Sequence, residues 1–180
     1  MSISPAEFSL LRSACDTLVD VPGVGRAEVA RGQIFLTLPP DEHHEAAVRY
    51  MAEQLDTQLP HTHPGFVARP DAALEASSPG ILRRPDLTVV ARSSPPTTRP
   101  YEALLVVEVI SKPNPESDYH DKLRDYSAMN IPLYLIVDPR TGTGIVHSEP
   151  GYTRRTDFVF GDTVTVGPWT LDTSVLRTYC

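Results

Sequence analysis

Two short stretches of the chain decide the fold: RRPDLTVV at residues 83–90 and ALLVVEVIS at residues 103–111. Each contains a run of β-branched and aliphatic residues, which is typical of a strand buried on both faces. Each also carries one carboxylate, Asp86 directly before the first run and Glu108 inside the second. A lone ionised carboxylate in a protein interior costs several kcal/mol, so buried acids survive beside cations, metal ions or hydrogen-bond donors. We therefore predict that Asp86 and Glu108 belong to one site.

The composition restricts the classes of protein that fit. A length of 180 residues predicts one domain spanning residues 1–180. Because 16 basic against 23 acidic residues give a net charge of −7, any nucleic acid must bind through a local patch. Two cysteines, Cys15 and Cys180, do not make a disulfide framework in a chain of this length, which favours a reducing compartment. With no long apolar run and no signal pattern, we expect a cytoplasmic protein without a membrane partner.

The periodicity of the sequence predicts a mixed α/β (α+β) domain with helices packed on one curved β-sheet. A helix opening at Ser4-Pro5, an N-terminal β-hairpin turning at Arg31-Gly32 and a helix from Asp41 to about Leu59 come first. Residues Asn114 to Asp118 are predicted to turn the chain into a third helix, which continues through about Met129 and ends at Asn130. The predicted strands after the hairpin cover residues 66–74, 86–91, 103–110 and 133–137, and a C-terminal β-meander covers residues 144–148, 152–160 and 163–166.

Asp118, Lys122 and Tyr126 recur at intervals of four and so share one face of the third predicted helix. Taken alone, this spacing is more often an ordinary ion pair with a packed tyrosine. Two buried carboxylates on the preceding strands give the same spacing a functional interpretation, in which Lys122 reaches the acids. By contrast, His44-Glu45 lacks the second histidine of a zinc-protease helix, because position 48 is a valine.

The motifs PDLTVV, VVEVIS, D-x3-K-x3-Y and YLIVDP together resemble the bacterial Uma family of restriction endonucleases, within the PD-(D/E)XK nuclease superfamily. The match is good from residue 83 to residue 138. It is weaker earlier, where Ala27-Glu28-Val29 and Gly32 resemble a Tyr-Glu-Leu-Ile-Asp-Gly hairpin of the family. The resemblance implies a restriction-endonuclease-like fold and an endonuclease that hydrolyses phosphodiester bonds, most simply of DNA, as a homodimer.

The same resemblance assigns roles to individual residues. Pro85-Asp86 corresponds to the Pro-Asp of the superfamily and Glu108 to its second acid. The usual lysine two residues later is replaced by Ile110, and the family's relocated lysine on the following helix corresponds to Lys122. Lys112 is a rival for this role, although it falls where the family usually has proline.

The chemistry expected of these residues is metal-assisted hydrolysis. Carboxylates of Asp86 and Glu108 and the carbonyl of Val109 offer oxygen ligands for Mg²⁺ or Mn²⁺, with Glu28 as a further candidate. Lys122 would position or deprotonate the attacking water and offset charge on the transition state.

Two further groups of residues complete the expected site. Arg83 and Arg84, which directly precede the Pro85-Asp86 pair, are the expected phosphate contacts, although two solvated arginines fit the sequence equally well. Asp118 and Tyr126 would support the catalytic lysine.

Two other interpretations remain open at this stage. In the first, the chain keeps the nuclease fold, has no catalytic activity and binds nucleic acid or a protein partner. The acidic net charge favours this interpretation. Alternatively, Lys122 and Arg84 would simply neutralise Asp86 and Glu108 within a structural domain.

Overall fold

The computed structural model describes residues 3–111 and 117–179, without the side chains of residues 117 and 118. Helix α1 (Pro5–Leu18) begins at a capping box. In it, the Ser4 side chain accepts the amide N–H of Glu7, and the Glu7 carboxylate accepts the amide N–H of Ser4. The N-terminal helix predicted from Ser4-Pro5 is thus present.

Helix α2 (Glu42–Thr62) starts at Asp41, whose carboxylate accepts the amide N–H of His44. The predicted start is confirmed, and the helix continues past the predicted end at Leu59. The third helical segment consists of a π-helical turn (Ser117–Lys122) followed by helix α3 (Leu123–Ala128). Its predicted first residues, from Asn114, lie outside the described part of the chain.

Thirteen strands are formed by the described residues. They are β1 (Arg26–Ala30), β2 (Gln33–Thr37), β3 (Phe66–Pro70), β4 (Ala73–Ala76), β5 (Ile81–Arg83), β6 (Leu87–Ala91), β7 (Thr97–Thr98), β8 (Ala103–Val109), β9 (Leu133–Asp138), β10 (Thr143–Ser148), β11 (Arg154–Val159), β12 (Thr163–Val166) and β13 (Trp169–Asp172).

The strands form three sheets in place of the single curved sheet expected from the sequence. The main sheet has the order β11-β10-β9-β8-β6-β3, and a second sheet has the order β2-β1-β5-β4-β7. Strands β8 and β9 are parallel, and the other pairs of the main sheet are antiparallel. The mixed α+β class, the N-terminal hairpin and the meander through β11 are confirmed, whereas β12 pairs with β13 in a separate hairpin.

A left-handed residue explains the strand boundary that the sequence did not reveal. The strand predicted over residues 66–74 divides at Asp71, where φ is 55°. Because extended backbone cannot continue through that conformation, β3 remains in the main sheet and β4 joins the second sheet. The two sheets therefore meet next to the start of β6.

Alternation along β8 directs its side chains into two different cores. Leu105, Val107 and Val109 pack in the core beneath α2, whereas Val106 and Ile110 pack with Tyr126 of α3. Since side chains alternate along a strand, Glu108 shares the face of Val106 and Ile110 and is directed toward α3. Leu87 pairs with Val107, so Asp86 and Glu108 lie beside each other at adjoining strand ends.

Candidate active site

A cavity of about 330 Å³ lies among the β1–β2 hairpin, the first turn of α2 and the adjoining ends of β6 and β8. The charged or titratable side chains that line it include Arg26, Glu28, His44, Asp86, Glu108 and Lys122. The structure thus brings the two predicted acids and the predicted lysine to one cavity.

Asp86 is buried at the start of β6 and has contacts on both carboxylate oxygens. Its Oδ2 accepts the amide N–H of Val109 at 2.7 Å. Its Oδ1 accepts a hydrogen bond from Arg26 Nη1 and lies 3.0 Å from His44 Nε2. Burial opposes ionisation, but His44, Arg26 and Lys122 outweigh it and hold the pKa of Asp86 below its ordinary value. The carboxylate is therefore anionic at neutral pH.

Glu108 is held by two residues of the third helical segment. Lys122 Nζ donates to Oε2 at 2.8 Å, and the Tyr126 hydroxyl donates to Oε1 at 2.5 Å. The four-residue spacing of Lys122 and Tyr126 places both on the face that meets β8. Burial and the charge of Glu108 raise the pKa of Tyr126 well above its ordinary value, so its hydroxyl remains a proton donor.

Glu28 and Arg83 belong to a buried network beside the cavity. Arg83 Nη1 donates to Glu28 Oε2 at 2.7 Å, and Arg83 Nε donates to Asp125 Oδ2 at 3.0 Å. The other oxygen of Glu28 accepts the amide N–H of Arg84 at 2.7 Å. Burial opposes ionisation of Glu28, but the positive charges of Lys122 and Arg83 lower its pKa.

This network changes the expectation for the two arginines. Arg83 is only 2% exposed and its guanidinium bonds two carboxylates, so it is not placed as the phosphate contact that its sequence position indicated. Arg84 is partly exposed, and its Nε donates to the carbonyl of Ala27 at 3.3 Å. Lys112 and the side chain of Asp118 lie outside the described part of the chain.

Sequence reasoning missed Arg26, His44 and Asp125. His44 lies on the buried face of α2 that includes Val48 and Met51. A histidine at helical spacing with apolar residues is the same kind of signal as an acid in an apolar strand, and it could have indicated the site. Arg26 and Asp125 gave no such signal, because each reaches its partner through a tertiary contact.

The donor set fits a hard divalent cation. Asp86 and Glu108 supply oxygen ligands at one cavity, and Mg²⁺ typically uses one or two protein carboxylates and completes its coordination with water and substrate phosphate. Within residues 3–111 and 117–179, no group of three or more His, Cys, Asp or Glu side chains is arranged to hold a metal ion. A bound cation would therefore depend on solvent and substrate for its remaining ligands.

No helix within the described ranges is long and apolar enough to cross a membrane. This finding agrees with the absence of a long apolar run in the sequence.

Comparisons with known proteins give both a family match and a similar solved structure. The family Uma2, described as "Putative restriction endonuclease", matches residues 16–174. A solved structure from Anabaena variabilis ATCC 29413, titled as a "putative nuclease belonging to DUF820", is similar in fold with a TM-score of 0.69 and 14% sequence identity. The similarity covers 90% of this chain and 96% of that one. Among curated proteins, none matches significantly. Because the family match spans most of the 180 residues, the chain belongs to the Uma2 family of restriction-endonuclease-like proteins.

Proposed function

We propose that this protein is an endonuclease that hydrolyses phosphodiester bonds of DNA with Mg²⁺ or Mn²⁺. One observation carries the proposal: Asp86 and Glu108, on adjoining ends of β6 and β8, line one cavity together with Lys122. Two buried acids and a lysine that line a cavity are what a phosphoryl-transfer site requires, and apolar packing alone does not account for them.

In this proposal, the carboxylates of Asp86 and Glu108 and the carbonyl of Val109 would hold the divalent cation. The cation would polarise the scissile phosphate and lower the pKa of a bound water. Glu28 is assigned a supporting role, because both of its oxygens already accept hydrogen bonds from Arg83 and Arg84.

Lys122 and Tyr126 have separate tasks at Glu108. Lys122 supplies a positive charge that holds the attacking water and stabilises the negative charge that develops on the phosphate. Tyr126 fixes the other oxygen of Glu108 and so prevents the carboxylate from rotating away. Arg84 remains a candidate phosphate contact, since it is partly exposed beside this network.

Cleavage of supercoiled plasmid and of single-stranded DNA in Mg²⁺ or Mn²⁺ tests the proposal. We expect the wild-type protein to cleave and Asp86→Ala, Glu108→Ala and Lys122→Ala to lose this activity, with chelator as the metal control. Loss of cleavage in Lys112→Ala but not in Lys122→Ala would reassign the lysine. Comparison of the DNA substrates with RNA determines the preferred nucleic acid.

A second candidate function is a nuclease-fold protein that binds nucleic acid or a protein partner without catalysis. It is favoured by the internal pairing of the cavity acids, since Asp86 contacts Arg26, Glu108 contacts Lys122 and Glu28 contacts Arg83. This candidate predicts no cleavage in any metal and no Mn²⁺ binding by calorimetry. The nuclease proposal predicts metal-dependent cleavage and Mn²⁺ binding.

The homodimer expected from the family resemblance belongs to the same proposal. Strand β2 is the end strand of its sheet, and Leu36 within it and Leu38 directly after it are at least half exposed. An unpaired edge with exposed apolar side chains offers a surface for a second copy. Light scattering during size-exclusion chromatography measures the oligomeric state, and a monomeric mass at micromolar concentration would remove this part of the proposal.

A further inference from the structure

The carboxylate of Asp86 is crowded by donors. Its Oδ2 accepts the amide N–H of Val109, and its Oδ1 contacts both His44 and Arg26. A carboxylate offers about four lone-pair positions, so few remain for a metal ion. If Asp86 is a metal ligand, as the proposed function holds, a donor must give way when the ion binds.

The three donors differ in their freedom to leave. The amide of Val109 belongs to β8, which lies between β6 and β9 inside the main sheet. His44 is buried on the inner face of α2. The side chain of Arg26 is 17% exposed, and it is the one of the three donors with a second carboxylate partner.

That partner is Asp71, at the junction between β3 and β4. Arg26 Nε donates to Asp71 Oδ1 at 3.0 Å, and the Asp71 side chain is 68% exposed. Arg26 therefore stays paired with Asp71 after it leaves Asp86. Because charge compensation is retained, the Arg26–Asp86 contact is the least costly of the three to break.

We propose that Arg26 is a phosphate-binding residue that a divalent cation displaces from Asp86. Without the cation, Arg26 neutralises Asp86. With the cation present, Asp71 keeps the guanidinium at the cavity, where it faces the substrate phosphate. A guanidinium matches phosphate oxygens through paired N–H groups. Arg83 does not fill this role, since Glu28 and Asp125 hold it inside the protein.

Mn²⁺ binding, measured by calorimetry and electron paramagnetic resonance, tests the displacement. We expect Arg26→Gln to bind Mn²⁺ about threefold tighter or more, because an internal competitor is removed. Asp71→Asn should bind Mn²⁺ more weakly. Arg26 then has Asp86 as its remaining carboxylate partner and competes more strongly with the ion for that carboxylate. A purely structural role for Arg26 predicts weaker binding in both variants.

Arg84→Gln is the matched charge control. Arg84 carries the same charge near the cavity but donates to a main-chain carbonyl instead of an acid side chain. Equal tightening in Arg84→Gln and Arg26→Gln would attribute the effect to general electrostatics and overturn displacement. Measurement at about 0.5 M salt reduces such long-range contributions, because the screening length is then only a few ångströms.

DNA cleavage at saturating Mn²⁺ tests the phosphate role separately. We expect Arg26→Gln to lower kcat/KM by roughly tenfold or more despite its tighter metal binding. Wild-type cleavage in Arg26→Gln would overturn the phosphate role. If the wild-type protein binds Mn²⁺ through Asp86 and Arg26→Gln leaves the affinity unchanged, the displacement alone fails. If neither protein binds Mn²⁺, the metal site of the proposed function fails with it.

Discussion

Two buried acids in neighbouring strands have similar partners and different surroundings. Glu108 in β8 and Asp138 at the end of β9 are 2% and 1% exposed. Glu108 contacts Lys122 and Tyr126, while Asp138 accepts hydrogen bonds from Arg140 and from Tyr119 of the π-helical turn. An acid, a cation and a tyrosine are thus present in both places.

Both tyrosines come from the third helical segment, but the cations that pair with the two acids come from different distances along the chain. Arg140 lies two residues after Asp138, and both its amide and its guanidinium donate to the same carboxylate. The carbonyl of Asp138 also accepts the amide N–H of Gly142, so Asp138 and Arg140 belong to one local turn. Lys122 reaches Glu108 from 14 residues away, on another element.

Access to the cavity is the second difference. Glu108 lines the 330 Å³ cavity, whereas Asp138 does not. The comparison teaches that a buried acid with a cation and a tyrosine does not by itself indicate a site. A site is indicated when distant elements bring those groups to open space.

The largest expected contrast is in cleavage. Glu108→Gln should reduce the rate on the order of a thousandfold or more, because a metal ligand and the partner of Lys122 lose their charge. Asp138→Asn should leave the rate within about twofold and lower the free energy of unfolding by about 1–3 kcal/mol, through lost hydrogen bonds. Plasmid cleavage and urea unfolding measure the two effects, and a large loss of cleavage in Asp138→Asn would contradict the distinction.

The next contrast concerns the free energy of unfolding when both charges of a pair are removed. Replacing a buried ion pair by apolar residues is often neutral or stabilising by about 1–4 kcal/mol. We expect this outcome for Glu108→Leu combined with Lys122→Met and Tyr126→Phe, because these groups serve the cavity and not the fold. The Tyr126→Phe change removes the buried hydroxyl that would otherwise lose its acceptor. Glu108→Leu alone should lower the free energy of unfolding, since the buried charge of Lys122 then lacks this carboxylate.

Asp138→Leu combined with Arg140→Met should behave in the opposite way. This double variant still leaves the amide of Arg140 and the hydroxyl of Tyr119 without their acceptor. We expect a loss of about 1–3 kcal/mol in urea unfolding. Stabilisation of both combined variants would show that Asp138 does not hold the turn.

Sequence reasoning predicted the placement of side chains where the signal was local. An acid in or next to an apolar run predicted that Asp86 and Glu108 lie together, and a four-residue spacing predicted that Lys122 and Tyr126 share one helix face. The turn at Asp138-Pro139 is local in the same sense, because its bonds join neighbouring residues. The hairpin at Arg31-Gly32 was predicted for the same reason.

Sequence reasoning failed where partners come from distant elements. The contact between Arg26 and Asp86 joins residues 60 positions apart, and that between Arg83 and Asp125 joins residues 42 apart. No spacing within one helix or strand reports such a pair. The division of the strands into three sheets was missed because a single left-handed residue, Asp71, redirects the chain.

Removal of the two tyrosine hydroxyls should give a smaller contrast. Tyr126→Phe leaves Oε1 of Glu108 without this donor, and we expect cleavage to fall by roughly tenfold through looser positioning of the carboxylate. Tyr119→Phe should leave cleavage unchanged and lower the free energy of unfolding by about 1 kcal/mol. Steady-state kinetics separates the two, and equal losses of activity would remove the distinction between the acids.

The smallest expected effect is the pH dependence of the turn at Asp138. Burial opposes ionisation there, but the hydrogen bonds and charge of Arg140 lower the pKa of Asp138 below its ordinary value. A depressed pKa in the folded state means that the ionised carboxylate stabilises the protein above about pH 4, the ordinary aspartate range. This contribution disappears as the pH falls through the lower folded-state pKa. The free energy of unfolding of the wild type should therefore exceed that of Asp138→Asn by a constant amount at pH 5–7, and the difference should shrink below about pH 4. Urea unfolding across this range measures it. A difference that stays constant to the lowest pH would mean that the charge of Asp138 does not stabilise the turn, and that its hydrogen bonds alone distinguish it from Glu108.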